Sequence, residues 1–482
     1  MGRPSHELTT MAEQVTGRGA RGVVAAAAPQ AAVAASAVLA DGGNAFDAVV
    51  AAALAESVLL PPKCGLGGDL IAIVLAAGES TPRSLIAVGG AAAGHAAVAR
   101  SGTWRDVGPD SVGPPAAAAG HAALAELGRL PRARLAAPAI ALARGGFAWA
   151  SVCERLSEMA HDLVAEMHPD GTDYYPGGSP IRAGTVVRLN GLAAVLDEWV
   201  LRGEHLLDGP VGDALLDAVV TRGGALRRDD FEHARAEWLP CASRSIDAAT
   251  VWATPAPTHG PSLLDALGRY ADGRRSAAAL HGAVMASIAE QRATLGDPGG
   301  TSIVSAADSD GNAAVVVHSN SYPRFGSGII VPGYQLPLAN RAGRGFTPVE
   351  GHPNFPTAGR RPATTLHAWA VSDAGGVRWL GGTPGGANQL PWNAQMLARL
   401  LGGEDRPGHL VASPVWEWLP DDDGVRLEEG LEGADDFAVS GRVVHAARWA
   451  CRSAQQVIRL PMPGEAWQAA ADPRTVGLAL GI

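Results

Sequence analysis

The sequence predicts an α+β protein in which helices dominate the first three-fifths of the chain and strands dominate the rest. Residues 29–59 are rich in Ala and apolar on most faces, as buried helices are. Residues 301–307 and 313–319 are short, apolar and β-branched, and they flank an Asp-Gly-Asn turn, as the two strands of a hairpin do. Hydrophobic residues make up 47% of the 482 residues, which is enough for a large buried core.

Two buried helices are predicted near the N-terminus. The first begins at Pro29, because Pro suits the first turn of a helix, and it ends at the Asp-Gly-Gly sequence of residues 41–43. Asn44 is the predicted N-cap of the second helix, with Asp47 in its first turn. The polar residues 1–21 in front of these helices are expected to be frayed.

The remaining elements are predicted from apolar runs between glycine- and proline-rich turns. A strand at 70–75 follows the glycine-rich turn at 65–69, and residues 116–222 are mostly helical. The other predicted elements are helices at about 262–270, 276–294 and 388–402 and strands at 364–371 and 377–380.

The composition excludes several classes of function. The net charge is -10, so the strongly basic surface that binds nucleic acid or an anionic membrane is absent. No apolar stretch is a convincing membrane span or signal peptide, and we therefore expect a cytoplasmic protein. The cysteines form no CxxC pair, which argues against a zinc or redox site, and we expect neither a metal nor a cofactor. They are Cys64, Cys153, Cys241 and Cys451.

Thr301 is the candidate nucleophile. It follows Gly299 and Gly300 and opens the first strand of the hairpin. A Thr hydroxyl is a weak nucleophile unless a base lies beside it, and a free α-amine on the same residue can be that base. The ordinary pKa of such an amine, about 7.7–8.0, suits a general base near neutral pH. A cut between Gly300 and Thr301 would create this nucleophile, whereas an uncut Thr301 would simply start a strand.

Two further pairs of residues could complete this chemistry. Ser319 and Asn320 end the partner strand and could lie beside Thr301 across the hairpin, or they could simply cap the strand. Gly385 and Gly386 precede a helix and offer consecutive backbone N–H groups for an oxyanion hole. For an isolated Gly-Gly pair, an ordinary turn is the better explanation.

Many segments, in the same order, resemble those of the γ-glutamyltranspeptidases, a branch of the N-terminal nucleophile hydrolases. The resemblance covers roughly residues 22–470. The matching segments are 41–48 (DGGNAFDA), 61–69 (PPKCGLGGD), 208–212 (DGPVG), 228–231 (RDDF), 255–260 (PAPTHG), 301–305 (TSIVS), 310–312 (DGN), 325–328 (FGSG), 361–365 (RPATT) and 383–386 (TPGG). Each segment is weak evidence alone, but so many in register strongly favour this fold.

The resemblance implies a four-layer αββα sandwich, made as an inactive precursor that cuts itself before Thr301. Residues 1–300 and 301–482 would become a large and a small subunit that stay together as one αββα unit. Thr301 would form an acyl-enzyme, with Ser319 as its supporting hydroxyl. The other implied site residues are Gly385 and Gly386 in the oxyanion hole, Thr364 and Thr365 at the substrate carboxylate, and Asn320, which matches only with a shift of one residue.

The substrate clamp of that family is altered in this sequence. The arginine that grips the α-carboxylate falls near Gly89, and the acidic segment that holds the α-amine reads ANRAGRGF at 339–346. Loss of a buried charge partner costs several kcal/mol of recognition. Arg324, Arg341 and Arg344 are extra cations near the pocket, and Arg binds carboxylates well. These arginines favour an anionic substrate without an ammonium group, although each could also be a solvated loop residue.

Three functions remain open from the sequence. The first is a self-processing Thr hydrolase that cleaves the amide of a small acidic metabolite. The second uses the same nucleophile to hydrolyse a C–C bond next to a keto acid, as relatives in actinobacterial pathways for alkylproline antibiotics are associated with doing. The third is an uncut, non-catalytic binding protein. In the first two cases the expected partners are a small, anionic substrate and the two fragments of the chain itself, and the state of higher assembly stays open.

Overall fold

The computed structural model describes residues 6–295, 301–322, 324–421, 423–437, 439 and 441–482. Among these residues, no helix combines the length and the hydropathy that crossing a membrane requires. The helices are α1 (His6–Gln14), α2 (Pro29–Ala40), α3 (Ala45–Leu59), α4 (His95–Ser101), α5 (Ala117–Ala125), α6 (Arg132–Gly145), α7 (Ser151–Met167), α8 (Asn190–Arg202), α9 (Pro210–Val220), α10 (Gly260–Ala271), α11 (Ala277–Leu295), α12 (Arg341–Gly345), α13 (Gln389–Leu401) and α14 (Pro407–Ala412).

The strands lie between these helices and after the last of them, often in runs of two or more. They are β1 (Thr16–Gly19), β2 (Gly22–Ala26), β3 (Asp69–Leu75), β4 (Arg83–Ala87), β5 (Phe147–Ala148), β6 (Val186–Val187), β7 (Glu237–Pro240), β8 (Ala242–Ile246), β9 (Ala249–Ala253), β10 (Ser302–Asp308), β11 (Ala313–Ser319), β12 (Ile330–Val331), β13 (Leu336–Pro337), β14 (Ala368–Asp373), β15 (Gly376–Gly382), β16 (Trp416–Leu419), β17 (Gly424–Glu428), β18 (Val443–Ala446), β19 (Gln456–Arg459), β20 (Trp467–Ala471) and β21 (Leu478–Gly481).

Two seven-stranded antiparallel sheets form the centre of the molecule. The first sheet has the order β1-β20-β19-β15-β14-β9-β8, and the second has the order β21-β2-β10-β11-β3-β4-β7. Alternate side chains of the two sheets face each other in one apolar cluster, which includes Ile303 and Val315 from the second sheet and Leu380 and Ile458 from the first. The sheets therefore pack face to face, as the two middle layers of a sandwich.

Helices cover the outer face of each sheet. Apolar residues of α2, α3, α5, α6 and α8 form one core with the outward side chains of the second sheet, such as Val304 and Val316. Residues of α10, α11 and α13 form another core with the first sheet, where Trp369 and Val457 are buried. The predicted αββα sandwich is confirmed, and it explains why β10 and β11 are buried along their whole length, since both of their faces are covered.

The predicted break between α2 and α3 is also confirmed. Asn44 accepts hydrogen bonds from the N–H groups of Phe46 and Asp47, and the Asp47 carboxylate accepts one from the N–H of Asn44 in return, which forms a complete capping box. The carboxylate of Asp308, at the hairpin turn, accepts a hydrogen bond from Ala45 at 2.7 Å. The start of α3 is therefore tied to the hairpin that begins next to Thr301.

Two predictions about element boundaries are wrong. Residues 1–21 were expected to be frayed, but α1 and β1 lie within them, and β1 pairs with β20 at the edge of the first sheet. The sequence of this edge strand, TGRG, has no apolar side chain, so no hydrophobic pattern predicts it. Its pairing with β20 comes from the backbone. The strand predicted at 364–371 begins only at Ala368, because the residues before it form a loop that leads to the site described below.

Strands from both sides of the proposed cleavage point share each sheet. In the second sheet, β10 and β11 from the region 301–482 lie between β2 and β3 from the region 1–300. In the first sheet, β14 pairs with β9 across the same division. Neither region could form its sheets alone. The division itself stays a prediction, since residues 296–300 lie outside the described residues.

Acid should destabilise this core through its buried histidines. His121 is fully buried, and within the described part of the chain neither ring nitrogen has a hydrogen-bonding partner. Burial, with a smaller effect from nearby His318, lowers the pKa of His121 to about 3. An unfolded His has a pKa of about 6.5. Between these two values the unfolded chain binds more protons, so stability falls as the pH falls.

Between pH 6 and pH 4 the free energy of unfolding should fall with falling pH. We expect His121→Phe to reduce the slope of this fall by up to about 1.4 kcal/mol per pH unit. Urea unfolding at several pH values would measure this slope. Replacement of the exposed His445 by Gln is the control and should leave the slope unchanged. An equal slope in His121→Phe and the parent protein would contradict the expectation.

Candidate active site

Thr301 lies at the end of a central strand of the second sheet, directly before β10, and is 2% exposed. In the hairpin register Ser302 pairs with His318, so Thr301 and Ser319 are the next positions on the two strands. Ser319 in turn pairs with Asp69 at the start of β3. Three adjacent strands thus place Thr301, Ser319 and Asp69 in a row at one end of the sheet. The sequence predicted that Ser319 lies beside Thr301, and the catalytic roles of both remain predictions.

Gln389, which the sequence analysis did not identify, contacts the candidate nucleophile directly. It is the first residue of α13, and its fully buried side-chain amide lies 3.1 Å from Thr301 Oγ1 and 3.0 Å from Thr365 Oγ1. One orientation of the amide satisfies all of its polar atoms. In that orientation the oxygen accepts from both hydroxyls, and the nitrogen donates to the carbonyls of Thr383 and Thr365 at 3.2 and 3.3 Å. Gln389 therefore orients the hydroxyl of Thr301.

The predicted substrate residues Thr364 and Thr365 lie in the loop before β14, and both are fully buried. Thr365 reaches Thr301 through Gln389, and its carbonyl lies 2.8 Å from Nδ1 of His367. Burial lowers the pKa of His367 to about 4, so this histidine is neutral and fixes the loop through its hydrogen bonds. The hydroxyl of Thr364 makes a local contact instead: it accepts a hydrogen bond from the N–H of Leu366 at 3.2 Å.

Gly385 and Gly386 form a turn immediately before Gln389. Gly385 is exposed and has φ of +142°, and a Cβ at this position would lie 2.2 Å from the Trp392 ring. Only glycine fits there. Gly386 begins a short 3-10 helix that leads into α13. Because Gln389 contacts Thr301, these two glycines are close to the candidate nucleophile, where their N–H groups could bind an oxyanion.

A buried ion pair lies beside this row of residues. Nε of Arg341 donates to the Asp69 carboxylate at 2.6 Å, and the two side chains are 4% and 2% exposed. Among the described residues, neither terminal nitrogen of Arg341 has a hydrogen-bonding partner. Burial raises the pKa of Asp69, and the Arg341 guanidinium opposes this shift. The N–H of Gly89 also donates to Asp69, at 3.5 Å, so Arg341 lies near the position where the resembled family has its arginine.

The other predicted binding residues are engaged elsewhere. Asn320 is fully buried, and its amide nitrogen donates to the carbonyl of Pro61 at 3.1 Å, which anchors the turn at 61–69. Arg344 donates to the exposed carboxylate of Asp106 at 3.0 Å. The guanidinium of Arg324 stacks on the Tyr322 ring, 5.4 Å from its centre. Of the three arginines that the sequence analysis placed near the pocket, Arg341 is the one that forms an ion pair with Asp69, beside Ser319.

A buried carboxylate on α3 binds residues at the adjacent ends of β10 and β11. Glu56 on α3 accepts hydrogen bonds from the hydroxyl of Ser302 at 2.8 Å, from Nε2 of His318 at 3.0 Å and from the backbone N–H groups of residues 27–28. Glu56, Cys64 and His318 also bring one potential metal-ligand atom each within 4.8 Å of the others. Because the Glu56 carboxylate already accepts four hydrogen bonds, we interpret this cluster as a clamp that holds the strands.

The comparison with known families agrees with this geometry. A family model described as Gamma-glutamyltranspeptidase matches residues 31–298 and 268–482, which together span most of the chain. The chain belongs to the γ-glutamyltranspeptidase family. It is therefore an enzyme of the N-terminal nucleophile hydrolase type, as the resemblance of its motifs implied.

Relatives of the chain within the γ-glutamyltranspeptidase family include acylases and an amidohydrolase. The Acylase ACY 1 proenzyme of Pseudomonas sp. (strain SE83) is 27% identical over 499 residues, which cover 89% of this chain and 88% of that protein. The Oxamate amidohydrolase proenzyme of Klebsiella pneumoniae is 25% identical over 512 residues, which cover 92% of this chain and 95% of that protein. The crystal structure of cephalosporin acylase from Bacillus halodurans has the same fold, with a TM-score of 0.86, 24% identity and coverage of 97% of both chains.

Proposed function

We propose that the chain is the precursor of an N-terminal Thr hydrolase that cleaves the amide of a small acidic molecule without an α-ammonium group. The buried pair of Arg341 and Asp69 is the observation that supports this substrate class. Two guanidinium nitrogens of Arg341 have no partner among the described residues, and such buried donors are costly unless a ligand binds them. A carboxylate matches both nitrogens at once in a bidentate pair.

Charge at the site argues against a zwitterionic glutamyl donor. The segment 339–346 contains two arginines and no acid, so it offers no carboxylate to an α-ammonium group. Asp69 is a carboxylate at the site, but its charge is already paired with Arg341 at 2.6 Å. One relative, 25% identical over nearly its whole length, is an oxamate amidohydrolase proenzyme, whose named substrate is such an acidic amide.

The proposed reaction begins with self-processing. Oγ1 of Thr301 attacks the carbonyl carbon of Gly300, and the C–N bond breaks, which frees the α-amine of Thr301 and leaves an ester. Water hydrolyses this ester to release the carboxylate of Gly300 and the hydroxyl of Thr301. That amine then takes the proton from Oγ1 as the hydroxyl attacks the substrate amide. The N–H groups of Gly385 and Gly386 stabilise the oxyanion, the amine of the substrate leaves, and water releases the acid from the acyl-enzyme.

The experiment compares three amides on the processed enzyme: oxamate, its neutral diamide oxamide and a γ-glutamyl anilide. We expect oxamate to have the highest kcat/KM. Arg341→Gln should lower kcat/KM for oxamate by at least about 30-fold, because a desolvated charge partner contributes about 2 kcal/mol or more, and it should change the value for oxamide little. The ratio of the two substrates in one preparation separates lost recognition from poor folding.

Arg344→Gln is the matched control, since Arg344 pairs with the exposed Asp106 and should not alter the ratio. Preference for the γ-glutamyl anilide would overturn the proposed substrate class. If the enzyme leaves all three amides intact but releases a carboxylic acid from a β-diketo acid, its reaction is C–C hydrolysis and the proposed amide cleavage is wrong. A chain that stays whole would favour the non-catalytic binding protein.

A further inference from the structure

A cavity of about 750 Å³ lies outside the first sheet, beside the second half of α13. Its walls come from α1, α10, α11, α13, α14 and the loops around β16, and they include Leu267, Tyr270, Leu280, Trp416 and Leu431. A volume of this size, with both apolar and polar groups in its walls, is typical of sites for small molecules. We call it the α13 cavity.

The α13 cavity is separate from the candidate active site. Thr301, Ser319 and Arg341 are not among its lining residues. Gln389, which contacts Thr301, begins α13, whereas Arg399 of the cavity lies ten residues further along the same helix. At a rise of about 1.5 Å per residue, the two ends are about 15 Å apart.

In the described part of the chain, one cation at the α13 cavity is not in an ion pair. Four arginines and two glutamates line the cavity. Three of these arginines are in ion pairs: Arg275 with Asp247, Arg406 with Glu404 and Arg448 with Glu7. Arg399 is the exception within the described residues, because its Nη2 donates to the carbonyl of Pro414 and its Nη1 is buried without a partner. Burial lowers the pKa of Arg399 to about 10, so it remains a cation at neutral pH.

A second unfilled donor belongs to the same wall. Trp416 is fully buried, and within the described residues its indole Nε1–H has no hydrogen-bonding partner. A buried donor without an acceptor costs free energy that a bound acceptor would recover. Arg399 and Trp416 thus provide one cationic and one neutral donor without a partner in the described structure, on a wall that also carries apolar side chains.

We propose that the α13 cavity binds a small carboxylate with an apolar body, whose carboxylate accepts hydrogen bonds from Arg399 and Trp416. The apolar body would lie against Tyr270, Leu280 and Leu431. This site is additional to the one at Thr301 and does not depend on the proposed substrate. A ligand that stabilises the enzyme or changes its activity would act here without competing with the substrate.

Isothermal titration calorimetry on the Thr301→Ala protein tests this site, with 4-phenylbutyrate and the uncharged 4-phenylbutanol as probes. We expect the acid to bind about tenfold to a hundredfold more tightly than the alcohol, since a hydrogen bond to a charged group contributes about that factor. Arg399→Met should remove this difference. Arg406→Met, which removes a cavity arginine that is already paired with Glu404, should keep it. Ala398→Phe, which fills the cavity, should weaken both probes.

The proposal is overturned if the acid does not bind at millimolar concentration, or if acid and alcohol bind equally. It is also overturned if Arg341→Gln abolishes binding while Ala398→Phe does not, because the probe then occupies the active site. Should Arg399→Met fail to fold, as judged by circular dichroism, the comparison of acid with alcohol and the Ala398→Phe protein still decide the question.

Discussion

Thr301→Ala is expected to leave the chain whole, whereas the parent protein should separate into two fragments on a denaturing gel. Removal of Oγ1 removes the only atom of this side chain that can attack the preceding carbonyl, so the loss should be complete. Intact mass would place the cut between Gly300 and Thr301 and would measure any residual fragment. Activity on every amide should disappear with the cut, because the α-amine is never freed.

Two matched variants make this result specific. Thr301→Ser keeps a hydroxyl at the same position and should still cut, though more slowly. Ser319→Ala leaves Thr301 in place but removes the hydroxyl beside it, and we expect slow cutting by a well-folded protein. Fragments of the expected masses from Thr301→Ala would show that another group, or a contaminating protease, makes the cut. Thr301 would then lose its assigned role.

The two fragments should stay together after the cut. In the second sheet, β10 and β11 lie between strands from the region before residue 300, and β14 and β9 join the two regions in the first sheet. Separation of the fragments would expose both sheets and the apolar cluster between them. Gel filtration without denaturant should therefore give one species that contains both fragments.

The sequence was informative where local residue types determine local structure. The Asp-Gly-Asn turn with its β-branched flanks predicted the hairpin, and the Asn44 cap predicted the start of α3. The glycine loop was singled out through the resemblance of residues 383–386, and the φ of +142° at Gly385 now explains why that position requires glycine. Arg341 was predicted from the sequence to be a cation near the pocket; the structure pairs it with Asp69, and its binding role stays a prediction.

Contacts between distant segments could not be predicted in this way. Arg341 and Asp69 are 272 positions apart, and only the pairing of β3 with β11 places Asp69 beside Ser319. Gln389 gave one weak signal. It lies four residues before Asn393 on an apolar helix, so two buried amides share one face of α13. That spacing marks a polar face inside the core, but only the folded chain shows that Thr301 lies opposite.

Among the proposed substitutions, Glu56→Gln is expected to lower the free energy of unfolding most. The Glu56 carboxylate is fully buried and holds Ser302 and His318, the residues that adjoin Thr301 and Ser319. A Gln side chain has one acceptor oxygen in place of two, and its amide nitrogen would face groups that themselves donate. We expect the free energy of unfolding to fall by about 3 kcal/mol, since hydrogen bonds to a charged group contribute about 1.5–3 kcal/mol each.

The same change should slow self-cleavage, because the clamp sets the positions of both strand ends. Unfolding is measured in the uncut Thr301→Ala background, and the cutting rate is measured separately with Thr301 intact. Glu79→Gln is the matched control, since Glu79 pairs with Arg83 at 3.4 Å on an exposed surface and should change stability by less than about 1 kcal/mol. A double-mutant cycle with His318→Gln should give a coupling energy of at least about 0.5 kcal/mol. Additive effects would mean that Glu56 stabilises α3 and the start of α2 alone, and that it does not position the nucleophile through the strands.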